Sequence, residues 1–212
     1  MYNRKDNIIS LPNKLPMLVK PKPFSKKEKG GYLLNDVKYN EDIIIDKNCY
    51  ALNTLINKSS GVYNMINHIS SVPFKINVEL LDFILNNNIN NRFLLDVNKP
   101  HKFDKIKRSK YQESVYKAYN SKIILQETIL AIVEYFKDFS SIYFPVRADQ
   151  RGRLYCMPHY FNYQSNELSK ALLLFVEPGI IKKSNISSIN YLKIYGANCY
   201  GLSKKNNEEK IK

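Results

Sequence analysis

Residues 110–138 repeat apolar side chains at helical intervals for longer than any other stretch of the chain. Val115, Ile123, Ile124, Leu130, Val133 and Phe136 fall on one broad stripe, with Lys117, Lys122, Glu127 and Lys137 elsewhere. The pattern predicts a long helix, and leaves two uses open: a packed scaffold element, or a lever lying beside a nucleic acid. Residues 1–45 read in the opposite way. Leu15-Pro-Met-Leu-Val-Lys-Pro-Lys-Pro-Phe24 cannot be helical, because its prolines remove donors and push their predecessors toward extended geometry. Gly30-Gly31 predicts a turn before Tyr32-Leu-Leu34, and Ile43-Ile-Ile45 reads as a buried strand.

Between these regions the periodicity is again helical. Residues 48–70 place Leu52, Leu55, Ile56, Val62, Ile66 and Ile69 at near-helical spacing, interrupted by Ser59-Ser-Gly61. Val72-Pro-Phe-Lys-Ile-Asn77 breaks the run. Asn77 can cap a second helix that carries Val78, Leu81, Ile84 and Leu85. The Asn-rich residues 86–91 predict a loop leading to a basic segment, Lys99 to Lys110, which is either a backbone contact or a solvated charge run. Beyond 140, Ile142–Pro145 and Leu154–Met157 read as short strands, and Ser169–Val176 as either helix or strand. Residues 189–200 predict a buried helix ending near Gly201. The last residues, Lys204–Lys212, read as a polar helix start that stops, which predicts a truncated chain.

Charge narrows the partner. The chain has 212 residues, 44% of them hydrophobic, and a formal net charge of +14. That excess attracts polyanions, so nucleic acid leads and an anionic membrane surface comes second. No run approaches the roughly 18–20 apolar residues of a membrane span. Cys49, Cys156 and Cys199, like His68, His101 and His159, are too scattered for a metal-ligand spacing or a disulfide framework. Reduced, mostly buried thiols are expected. Asn, Ile, Lys, Tyr and Phe are abundant while Gly is sparse and Trp absent, a bias toward A/T-rich codons. It suggests the genome of an organelle or its plasmid, and the amino terminus shows neither an apolar signal core nor an Arg/Ser-rich presequence.

The densest functional signal is 143–155, Tyr-Phe-Pro-Val-Arg-Ala-Asp-Gln-Arg-Gly-Arg-Leu-Tyr. Arg147, Arg151 and Arg153 fall within seven positions of a chain that otherwise favours lysine. Guanidinium forks suit phosphate oxygens, and Gly152 would let backbone pass close to a ligand. Asp149 reads as a partner that orients the arginines.

Several stretches together resemble one family, the single-subunit, phage-type DNA-directed RNA polymerases, including the mitochondrial ones. They are Leu15–Phe24, Gly30-Gly-Tyr-Leu33, Val72–Asn77, Asp149-Gln-Arg-Gly-Arg-Leu-Tyr155, Phe161–Leu173 and Leu192–Gly201, in family order. The fourth matches the family signature Asp-x-Arg-Gly-Arg-x-Tyr. The resemblance implies a right-hand fold, mainly α with a small β component (α+β). It would place residues 1–45 at the end of the amino-terminal domain, 46–140 in a helical thumb, and 141–212 at the opening of the palm.

It also implies roles. Arg151, Gly152 and Arg153 would meet backbone phosphates of the DNA template and the RNA–DNA hybrid. Tyr155 would pack on a sugar or base, or else be a core tyrosine, and Lys170 would add a point charge beside the hybrid. Asn162 and Asn166 would hold the connecting loop or touch template. Lys204 falls where the family has a lysine near the incoming ribonucleoside triphosphate, and His159 reads as structural. The family's two metal-holding palm aspartates, and its fingers lysine and tyrosine, come later in family order than Tyr200. No catalytic residue and no metal site is therefore expected in this chain, although the intact enzyme would use Mg2+. The expectation is a mitochondrial or plasmid polymerase fragment, inactive alone. The alternatives are a non-catalytic basic nucleic-acid-binding remnant and an organellar structural protein.

Overall fold

The computed structural model describes residues 14–25, 28, 30–33, 60–87, 109–149 and 153–212. The described elements are, in order, α1 (Ser60–Ser70), β1 (Phe74–Ile76), α2 (Val78–Asn86), α3 (Lys110–Phe136), β2 (Val146–Ala148), β3 (Leu154–Cys156), α4 (Glu167–Ala171), β4 (Leu173–Phe175), α5 (Ile186–Cys199) and α6 (Asn207–Ile211). Helices dominate, and two antiparallel two-stranded sheets, β1 with β4 and β2 with β3, supply the β component. The mainly α, α+β expectation holds at that level. The chain divides into two compact units, residues 1–176 and 177–212. The expected strand at Ile43–Ile45, the helical run before Ser60, the basic segment up to Arg108 and Cys49 lie outside the described residues.

In the first unit, α3 begins where its cap demands. The Ser109 hydroxyl accepts from the Gln112 N–H at 3.3 Å, and the Gln112 side chain accepts from the Ser109 N–H at 2.9 Å, a reciprocal capping box. Its carboxyl-terminal half is the buried half: Ile129, Leu130, Ile132, Val133 and Phe136 join Leu81 and Ile84 of α2, Phe74 and Ile76 of β1, and Ile142, Phe144, Phe161, Leu168 and Leu172 in one core. The expected stripe therefore needs correction at its start. Val115 and Ile123 are only half-buried, and Ile124 is 61% exposed. A stripe buries only where another element faces it, and the described core ends one turn above Ile129.

Asn77 caps α2 as expected, its side chain accepting from the Leu80 N–H at 3.3 Å. The segment read as a break, Val72–Asn77, forms β1, whose partner β4 lies in the stretch left open between helix and strand. That stretch is both: α4 ends at Ala171 and β4 starts at Leu173. Around the sheet, Phe74 stacks on Tyr163 at 5.3 Å and meets Phe144 edge-on at 5.4 Å.

The proline-rich strap crosses this unit as an extended chain. Met17 exchanges two backbone hydrogen bonds with Tyr143, both 2.8 Å, and Lys22 does the same with Gly31. The expected turn at Gly30-Gly31 is there for two reasons. Gly31 has φ +95°, and a Cβ on Gly30 would sit 2.5 Å from the Lys22 carbonyl oxygen and the Phe24 nitrogen.

In the second unit, Asn185 and Asn206 cap α5 and α6, and Gly201 (φ +96°) ends the turn after α5. Lys193 donates to the Ile211 carbonyl at 2.9 Å. The expected buried helix is present but not buried: none of the fourteen residues of α5 is, and Tyr191 and Tyr195 are 71% and 68% exposed. The apolar residues are spread around the helix, and the five residues of α6 are too few to cover them.

Candidate nucleic-acid interface

The arginine-rich segment folds as a hairpin. β2 and β3 pair Val146 with Cys156, Arg147 with Tyr155 and Ala148 with Leu154. The strand expected at Ile142–Pro145 is present as single antiparallel bridges, Ile142 with Phe74 and Tyr143 with Met17, and the β2 ladder begins after Pro145, whose nitrogen offers no donor. Strand alternation then sorts the side chains. Val146 and Ala148 are buried, while Arg147, Arg153 and Tyr155 belong to the other face.

Three neighbours brace this hairpin. From α1, Ile66 packs with Ala148 and Phe24, and the Ser70 hydroxyl accepts from the Val146 N–H at 3.1 Å. Asn67 ties the strap to α1 by accepting from the Phe24 N–H and donating to its carbonyl, both at 2.8 Å. On the far side, Gln164 acts as a substitute strand. Its side chain accepts from the Cys156 N–H at 2.7 Å and donates to the Leu154 carbonyl at 2.9 Å. Asn162 holds Gln164 in place, accepting from its N–H at 2.8 Å and donating to the Pro158 carbonyl at 2.6 Å.

Asp149 shapes the turn. Its N–H donates to the Arg153 carbonyl at 2.8 Å, and its carboxylate accepts from the Arg153 N–H at 2.9 Å and from the Tyr155 hydroxyl at 3.4 Å. The carboxylate thus fixes the backbone from which Arg153 projects. Asp149 is 8% exposed, whereas Arg153 is exposed and Tyr155 is 37% exposed. Arg151 and Gly152 lie outside the described residues.

The remaining candidates are more dispersed. Asn166 caps α4, its side chain accepting from the Ser169 N–H at 2.9 Å, so part of its polar capacity is committed to the fold. Lys170, exposed at the end of α4, pairs with Glu167 at 2.8 Å. Lys204 is exposed in the second unit. Among the described residues no three His, Cys, Asp or Glu side chains come together as a metal site would require.

Burial has a visible electrostatic effect behind the hairpin. It pushes the Cys156 thiol up to about 12, with hydrogen bonds from Tyr163 and Gln164 opposing the shift. Burial also raises the hydroxyls of Tyr32 and Tyr163, the Cys156 charge adding to both. The expectation of mostly buried thiols is corrected at Cys199, which is exposed; Cys156 is half-buried.

Sequence reasoning found the arginines, Asp149 and Tyr155 from their clustering. It missed Gln164 and Ser70, whose amide and hydroxyl carry no signal until the chain brings them to the hairpin.

No family model matches the chain. A probable DNA-directed RNA polymerase of Podospora anserina is 40% identical over 205 residues, covering 95% of this chain and 22% of that protein. T7 RNA polymerase of Escherichia phage T7 is 38% identical over 96 residues, 45% of this chain and 10% of that protein. A chloroplastic DNA-directed RNA polymerase 3 of Nicotiana sylvestris is 26% identical over 201 residues, 88% and 20%. The chain spans about a fifth of the length of the fungal relative. The chain is thus similar to one part of DNA-directed RNA polymerases from a fungus, a plant and a phage.

Proposed function

We propose that the chain forms the part of a DNA-directed RNA polymerase that grips the template strand and the RNA–DNA hybrid by their phosphates. The observation that carries this reading is the braced β2–β3 hairpin, which presents Arg153 and Tyr155 outward from a rigid base. Phosphate contacts position a strand without reading its sequence, as a general transcriber requires. Arg153 and Arg151 supply the guanidiniums, Gly152 the close approach, Tyr155 a face for a sugar or base, and Asp149 the fixed turn. Lys170 and Asn166 extend the contact along α4, and Lys204 sits toward the incoming triphosphate. In this reading residues 1–45 close an amino-terminal domain, 46–140 form a thumb with α3 along the hybrid, and 141–212 open a palm.

The intact enzyme joins ribonucleoside triphosphates on DNA with Mg2+. The described residues do not offer the converging carboxylates that two metal ions need, so no metal step is assigned to them. The A/T-rich residue bias supports a mitochondrial enzyme encoded in the organelle or on its plasmid.

Fluorescence anisotropy with a labelled duplex across a salt series tests the reading. Each neutralised phosphate contributes about −0.9 to the slope of log K against log salt. Arg153→Ala should weaken binding and flatten that slope by about one contact. A wild-type slope near zero overturns the proposal.

A further inference from the structure

Gln164 is exposed, yet both ends of its amide are engaged. The carbonyl oxygen accepts from the Cys156 N–H at 2.7 Å, and the amide nitrogen donates to the Leu154 carbonyl at 2.9 Å. These two backbone groups flank Tyr155 on the edge of β3 that faces away from β2. On the other edge Tyr155 pairs with Arg147, between the bond from Asp149 to the Arg153 carbonyl and the bond from Met157 to the Pro145 carbonyl, both 2.8 Å. Tyr155 is therefore held from two sides, by a strand and by a side chain. The loop that carries Gln164 is anchored in turn. Asn162, 6% exposed, accepts from the Gln164 N–H, and its carbonyl accepts from the Ser165 N–H at 3.2 Å. Phe161, 1% exposed, meets Phe144 edge-on at 6.1 Å and roots the loop in the core. Two residues past Gln164, Asn166 caps α4, which carries Lys170. Residues 162–166 thus tie β3 to α4.

We propose that Gln164 is a positioning residue for nucleic-acid binding: it fixes the Arg153–Tyr155 stretch of β3 relative to α4, so that the hairpin and Lys170 engage one strand together. The nucleic acid rests on the function proposed above; the brace on β3 does not. Stability alone is a weak reason for such an arrangement. Both bonds lie at the solvent boundary, where water can serve the same N–H and carbonyl, so exchanging one partner for the other gains little. An ordered glutamine also gives up rotamer freedom. What water cannot provide is a covalent path to a second element, and Gln164 has one through residues 162–166. Two contacts held at a fixed spacing reinforce each other, because once the first has formed the second forms within the same complex. A β3 free to sway on its outer edge loses that reinforcement while keeping every charge it had.

The test uses Gln164→Met in the full chain, which keeps the side-chain length and removes both bonds. Hydrogen exchange of the Cys156 amide is followed by NMR without nucleic acid. Anisotropy of the labelled duplex is measured for wild type, Gln164→Met, a variant carrying both Arg153→Ala and Tyr155→Ala, and the variant with all three changes. The Cys156 amide should exchange faster, while the urea midpoint stays within about 0.5 M of wild type. Gln164→Met should weaken duplex binding about fivefold in the otherwise wild-type chain and add nothing where Arg153 and Tyr155 are already alanine. A glutamine that only stabilises the fold gives the opposite pattern, an equal loss in both backgrounds that follows a fall in midpoint. If Gln164→Met leaves affinity unchanged, or the losses simply add, while Arg153→Ala still weakens binding, the positioning role is refuted and the general function stands. If the wild-type chain does not bind the duplex, the function proposed above falls and the binding role of Gln164 falls with it. Faster Cys156 exchange then upholds the brace on β3 by itself, and unchanged exchange removes that as well.

Discussion

Replacing Asp149 by alanine should loosen the hairpin turn more than any other single change on its outer face. The carboxylate accepts from the Arg153 N–H at 2.9 Å and the Tyr155 hydroxyl at 3.4 Å. A hydrogen bond to a charged acceptor at good geometry is worth about 1.5–3 kcal/mol, and the hydroxyl contact to the same carboxylate, stretched well beyond the usual O–H···O distance, contributes about 0.5 kcal/mol. Asp149→Ala should therefore cost about 2–3 kcal/mol. Tyr155→Phe, which removes only the longer bond, should cost about 0.5 kcal/mol. Asp149→Asn keeps an acceptor for one donor and should fall between them. Urea unfolding followed by far-ultraviolet circular dichroism reads this as a drop of roughly 1 M in midpoint for Asp149→Ala at typical m-values. Oligonucleotide affinity should fall with it under conditions where the variant is still folded, because Arg153 leaves from the loosened turn. Should Asp149→Ala unfold no earlier than Tyr155→Phe, the carboxylate does not organise the turn and the reasoning fails.

Gly30→Ala should be strongly destabilising, by more than the roughly 1 kcal/mol of an ordinary glycine substitution, because its Cβ would meet strap backbone at 2.5 Å; thermal melting against wild type checks it. Leu81→Ala, at a residue with no exposure in the central core, should cost about 2–5 kcal/mol in urea titration. The Cys156 thiol, raised from its ordinary 9 to about 12, holds its proton more tightly folded than unfolded. Its contribution to stability is then complete below pH 9 and declines toward pH 12, with a slope of at most about 1.4 kcal/mol per pH unit. Cys156→Ser should flatten the alkaline limb of stability against pH, and an unchanged limb would remove Cys156 as its source. At pH 8, iodoacetamide should label exposed Cys199 well before Cys156, as peptide mass spectrometry would record.

What could be read beforehand follows from how local each cause is. The Asn77 cap and the paired glycines depend on neighbours in sequence, so they were legible, as was α3 from its period. The extent of burial along α3 was not, since Ile124 has the same pattern as Leu130 and only the second faces the core. Periodicity reports a face, while burial needs an opposing element. For the same reason α5 reads as a core helix and is instead uncovered within its own unit. At the site, the cluster of Arg147, Arg151, Arg153, Asp149 and Tyr155 was visible as composition. The bond that Ser70 accepts from Val146, and the pair that Gln164 makes with Cys156 and Leu154, depend on chain segments brought together by folding and leave no local trace.

The amide of Gln164 has a consequence beyond support. A two-stranded ribbon normally leaves a row of open donors and acceptors that a strand from another molecule can join. Here one side chain satisfies the Cys156 N–H and the Leu154 carbonyl together, the pair through which such zippering would begin. A sticky margin becomes a sealed one, so a surface rich in arginine can stay open to polyanions while refusing recruitment into intermolecular sheets.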